Sequence, residues 1–97
     1  MQKTLHSEQA TLFLQMLRDV RLATGMTQSK LARKLQIEQT VVSKIETGLR
    51  RLDVVELHAW LRALGVPLTE FVSELDTGLA AIAVRNEVGR RRVKADR

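Results

Sequence analysis

The stretch TQSKLARKLQIEQTVVSKIETG, residues 27 to 48, holds two short helical patterns with only about three residues, Gln36 to Glu38, between them. Thr27 is an N-cap for a helix from Gln28 to Leu35 whose inner face is Leu31, Ala32 and Leu35. The next helix begins at about Glu38, buries Val42 and Ile45, and ends at Gly48. Two helices joined so tightly must cross steeply. One face of the second then stands out from the body, free to enter a groove about 12 Å wide. That face carries Gln39, Thr40, Ser43, Lys44 and Thr47. Glutamine can bond an adenine edge bidentately, lysine reaches guanine or a phosphate, and threonine and serine serve either bases or backbone.

Three further helices complete the expectation. Ser7 caps one that runs to about Ala23, with an apolar stripe of Leu12, Phe13, Met16, Leu17 and Val20 and a left-handed stop at Gly25. Asp53, with Glu56 three positions on, opens a fourth that carries Leu57, Trp60, Leu61 and Leu64 to Gly65. Trp60 falls in that stripe and reads as a core anchor rather than a base-stacking residue. Pro67 opens a fifth, with Leu68, Phe71, Val72 and Leu75 inward. A chain of 97 residues, 44% hydrophobic and 28% charged, buries one small core. With aromatics at 3% and helix-favouring residues plentiful, the expected class is all-α.

Together, GMTQSKLARKLQIEQTVVSKIETG and the later LHAWLRALGV resemble the lambda-repressor-like (XRE) helix-turn-helix family over roughly residues 12 to 76. The resemblance implies a compact five-helix DNA-binding domain over 1–76, followed by a C-terminal extension over 77–97. It implies that Gln39, Thr40 and Lys44 contact bases. Gln28 would contact a phosphate and brace the recognition helix, Ser43 would touch the backbone, and Arg50 and Arg51 would flank the DNA strand. Arg21 and Glu46 match a buried structural ion pair. Gln36 occupies a turn position where the family usually has glycine, so a non-glycine residue with φ > 0 is expected there. Implied too is transcription regulation, with stand-alone members in phages, plasmids and other mobile genetic elements and in restriction or toxin systems. In so short a chain, repression by occupancy is the expected mode.

Charge adds a second theme. The net charge is +5, with ten basic and nine acidic side chains in residues 1–76 against six and two in 77–97. The excess in RRRVKADR fits a mobile tail that follows phosphates without reading sequence. The apolar segment 79–84 before it has two possible destinations. It can join Phe71 and Leu75 in a homodimer surface made by Leu79, Ile82 and Val84, or fold back onto its own core. A dimer would read an inverted repeat in double-stranded DNA.

The residue types also narrow the chemistry. With no cysteine, disulfide frameworks and thiolate metal sites are excluded. His6 and His58 lie on different helical segments without a ligand set, and nothing forms a nucleophile, paired-carboxylate or phosphate-loop pattern. No enzyme, cofactor, metal or small-molecule ligand is therefore expected. LAAIAV is too short to span a bilayer, so a soluble cytoplasmic protein is expected. Two other functions stay open: a protein-interaction module of antitoxin or anti-activator type, and a non-specific nucleic-acid binder that relies on its tail.

Overall fold

The computed structural model describes the backbone of residues 7–95 and the side chains of residues 7–89. Five helices follow in order: α1 (Glu8–Ala23), α2 (Gln28–Leu35), α3 (Gln39–Glu46), α4 (Val54–Leu64) and α5 (Leu68–Ala95). Among the described residues there is no strand.

Helix starts follow local chemistry. The Ser7 hydroxyl accepts from the Ala10 amide, and Thr27 accepts from Lys30. Asp53 and Glu56 form a reciprocal capping box at α4. Each satisfies an amide that a helix end leaves unbonded, which stabilises by about 1 kcal/mol. Stops are backbone-driven: Gly25, Gly48 and Gly65 all have positive φ. Gln36 also sits in the left-handed region, at φ 58°, as expected from its place in the turn. The Ile37 amide reaches back to the Ala32 carbonyl at 3.0 Å and closes that turn.

The apolar stripes meet in one core. Leu17 of α1, Leu31 of α2, Val42 and Ile45 of α3, Trp60 and Leu61 of α4, and Phe71 of α5 are all essentially inaccessible. Fully burying a side chain of this size contributes roughly 1.5–3 kcal/mol. The indole N–H of Trp60 is buried without a partner, so the apolar body of the ring is what holds it there.

Helix α5 runs antiparallel to α1. Phe71 meets Phe13 edge-on, with ring centres 6.0 Å apart. Further along, Gly78 lies against the Leu12 side chain, and Arg85 pairs with Glu8. A Cβ at position 78 would stand 2.6 Å from a Leu12 methyl, so the glycine lets the two helices approach.

Three expectations change here. Val72 is 41% exposed rather than inward, because Leu68, Phe71, Leu75 and Ile82 define the packed stripe and Val72 falls on its flank. Of the two destinations open to 79–84, Ile82 takes the one back onto its own core, and Phe71 is buried as its inward place on the fifth helix has it, so neither serves a dimer surface, whereas Val84 is 62% exposed and Leu75 and Leu79 are half-buried. The extension is also no separate segment. Residues 77–95 continue the fifth helix, which runs unbroken for 28 residues, through positions expected to be mobile tail. The side chains of Arg90 to Arg97, which carry most of the tail's positive charge, lie outside the described residues. So does His6. Among the described residues no helix is long and apolar enough to cross a membrane.

Candidate nucleic-acid interface

The outward side of α3 is held from behind by one polar network. Glu46, the last residue of α3, is 1% exposed. Arg21 of α1 grips its carboxylate with two parallel bonds, Nε to Oε2 at 2.7 Å and Nη2 to Oε1 at 3.0 Å. Arg21 also donates to the Met26 carbonyl at 3.0 Å, so one guanidinium ties α1 to both the α1–α2 loop and α3. Such planar bidentate pairing is the geometry in which a buried ion pair can repay its desolvation.

From Glu46 the network runs outward. Gln28 Nε2 donates to Glu46 Oε1 at 3.0 Å, and Gln39 Nε2 donates to Gln28 Oε1 at 3.4 Å. The Ser29 hydroxyl donates to Gln39 Oε1 at 3.1 Å. The first residue of α3 is thereby latched to the first turn of α2, and the last to α1.

Gln39, Thr40 and Lys44 are all exposed on α3. Among the described residues, Thr40 and Lys44 make no side-chain hydrogen bond or ion pair, so both are available to a partner. Ser43 is half-buried at the flank of this face, and its carbonyl accepts from the Thr47 hydroxyl at 2.8 Å. Gln28, half-buried, connects the face to the ion pair. Arg50 and Arg51 lie apart from it, in the α3–α4 loop, both exposed. Arg50 donates to Glu56 at 3.1 Å and to the Arg51 carbonyl at 3.2 Å. The Asp53 amide, and then Arg50, hold the Glu56 carboxyl below its ordinary pKa.

Sequence reasoning missed two residues of this arrangement. Arg18 donates to the Glu46 carbonyl at 2.7 Å and so places a cation at the C-terminus of α3, where the helix dipole favours one. Its position three residues before Arg21 puts it on the same side of α1, but only the placement of α3 shows its partner. Ser29 had no such signal, because its bond to Gln39 depends on how α2 and α3 cross.

Among the described residues no cluster of histidine and carboxylate side chains could hold a metal ion. A shallow cavity of about 190 Å³ opens behind α3, lined by Val41 and Ile45 of that helix, Ile37, and Ala59 and Trp60 of α4.

Residues 17–71 match the model of a helix-turn-helix family, a span that takes in every residue of the network. Among solved structures, an XRE-family-like protein from Pseudomonas syringae pv. tomato is 37% identical, with a TM-score of 0.71 over 77% of this chain and 92% of that one. A mutant of the restriction-modification controller protein C.Esp1396I is 28% identical, with a TM-score of 0.67 over 76% and 94%. The clp gene regulator ClgR from Corynebacterium glutamicum, 24% identical with a TM-score of 0.62 over 77% and 80%, shares the fold. No curated protein matches the chain. With the matched span, the similarity to the XRE-family-like structure and the left-handed turn at Gln36 in agreement, this chain belongs to the XRE-type helix-turn-helix family of DNA-binding domains.

Proposed function

We propose that the protein is a sequence-specific transcriptional regulator of double-stranded DNA, acting as a dimeric repressor on an inverted-repeat operator. The observation that carries this reading is the outward face of α3, where Gln39, Thr40 and Lys44 are exposed on a helix latched at both ends by the Arg21–Glu46–Gln28–Gln39 network. A side chain reads a base edge only if its backbone is held in place, and this one is. Gln39, Thr40 and Lys44 meet bases; Gln28, Ser43, Arg50 and Arg51 meet the sugar-phosphate strand. The similarity to a restriction-modification controller supports a regulatory role.

The dimer part has its own support. With Phe71 and Ile82 turned inward, α5 still presents Val84 and Val88, 62% and 44% exposed and four residues apart on one face. A second copy would cover them and set two recognition helices about 34 Å apart on successive major grooves. Light scattering that gives a monomer at micromolar concentration would reject this surface. Repression then needs only occupancy of a promoter.

The test is selection from a random double-stranded DNA library by the intact chain and the Gln39→Ala/Lys44→Ala variant in parallel. The expected outcome is an inverted repeat enriched by the first and lost in the second. Each good base contact gives about 1–3 kcal/mol of discrimination, so the variant should lose on the order of a hundredfold at the best site. Equal enrichment by both would show that α3 does not read the bases. Enrichment by neither would transfer the function to a protein-interaction role.

A further inference from the structure

The polar network has a direction, and the direction is set at its buried end. Glu46 is gripped by Arg21 and its carboxylate can only accept. Gln28 must therefore turn its NH2 group toward Glu46, which leaves its carbonyl oxygen facing Gln39. Gln39 must in turn donate to Gln28, so its own oxygen points the other way, where the Ser29 hydroxyl donates to it. An isolated glutamine amide flips between two orientations that are nearly equal in shape and opposite in polarity. Here the links from Glu46 through Gln28 permit one orientation, and the Ser29 hydroxyl, which can donate or accept, holds the amide in it.

We propose that Ser29 and the Glu46 carboxylate are specificity-determining positioning residues: Glu46, acting through Gln28, sets which way round the Gln39 amide meets DNA, and so which base it selects, and Ser29 holds the amide in that place. The inference rests on the DNA-reading role proposed above for Gln39. After its bonds to Gln28 and Ser29, the amide keeps one N–H and one oxygen lone pair unspent. A donor beside an acceptor is what an adenine edge requires. With the amide locked, the donor and the acceptor stand in a fixed order along the groove, so adenine fits on one strand and the reversed pair does not. A freely flipping amide would accept either order. Ser29 touches the reading residue on its exposed side, and Glu46 acts on it through Gln28 without approaching the DNA.

The experiment is library selection with the full chain, comparing the unsubstituted protein with Ser29→Ala, Ser29→Thr and Glu46→Gln. Glutamine at position 46 can either donate or accept, so it releases the polarity of the relay. Ser29→Ala should lower the adenine preference at the base pair facing Gln39 roughly three- to tenfold, the effect of one neutral hydrogen bond, and leave the other positions unchanged. Ser29→Thr, which keeps the hydroxyl, should restore the preference. A uniform loss at all positions would make Ser29 a backbone contact and overturn the proposal, as would an unchanged profile.

A readout without DNA stands beside it. The two side-chain NH2 proton resonances of Gln39 should shift in Ser29→Ala and return toward their original positions in Ser29→Thr, and resonances that do not move would overturn the proposal. Should Glu46→Gln fail to fold, the Ser29 pair decides alone. If the unsubstituted protein enriches no site, the DNA-reading role itself fails, an outcome distinct from a site whose preference ignores Ser29.

Discussion

The α2–α3 pair and the long α5 share one core but differ in what else holds them. Helices α2 and α3 have eight residues each, too few to be stable alone, and to the core packing of Leu31, Val42 and Ile45 they add an unusual number of specific bonds. Thr27 caps α2, Gln36 closes the turn, Gln28 and Ser29 hold Gln39, and Arg18 and Arg21 hold Glu46. By contrast, α5 is 28 residues long; its first turns join the core through Phe71 and pack on α4, and the rest lies along a seam with α1 made by Gly78 and the Arg85–Glu8 pair. Both members of that last pair are more than half exposed, where such pairs contribute little. The difference matches the proposed uses. A helix that reads bases must be located to a fraction of an ångström, whereas one that presents an apolar surface needs only its length and its facing side.

The largest effect should come from cutting the bonded half at its buried end. Glu46→Ala leaves the Arg21 guanidinium, 11% exposed, without its counter-charge, and should cost about 3–5 kcal/mol in urea unfolding. A loss below 1 kcal/mol would mean that packing, not the ion pair, fixes α3, and the contrast with α5 would disappear. The seam should give a smaller response. Gly78→Val pushes a side chain into the Leu12 methyl, and should cost about 1–3 kcal/mol by the same measurement. Because Gly78 is remote from α3, DNA affinity per folded molecule should be unchanged; a parallel fall would show that the two halves are coupled.

The smallest effect concerns pH. The folded-state pKa of Glu56 lies below its ordinary value, chiefly through the Asp53 amide and then Arg50. Such a group adds stability that is fully present above its unfolded pKa and is lost as pH falls through the folded one. Stability should therefore decline in acid slightly less steeply in Glu56→Gln than in the unsubstituted protein. Identical slopes from pH 6 downward would reject the linkage.

The two halves also differ in how much of them was legible in the sequence. The side-chain caps of α1, α2 and α4 and the glycine stops are properties of a few neighbouring residues: Ser7, Thr27, Asp53 with Glu56, and the glycines at 25, 48 and 65. The positive φ at Gln36 followed from a three-residue turn and from the family pattern. The Arg21–Glu46 pair and the exposure of Gln39, Thr40 and Lys44 likewise agree with their places in that pattern. What local rules could not give were the bonds that cross between helices, Ser29 to Gln39 and Arg18 to Glu46, since their partners are set by the crossing angle. The far end of α5 was misread for a related reason. Gly78 lies inside the helix, where the Leu12 side chain occupies the space that a side chain at this position would need. Ile82 then turns inward on the same seam, which no run of apolar letters distinguishes from an outward one.

The tryptophan at position 60 is the only one in the chain, and it is buried against the inner side of α3 with its N–H unbonded. An indole in so apolar a setting emits at short wavelength and shifts to longer wavelength when water reaches it. The molecule thus carries its own optical gauge of the floor beneath the recognition helix. The colour of that emission reports, without any label, whether a change on the outward face has disturbed the surface on which it stands.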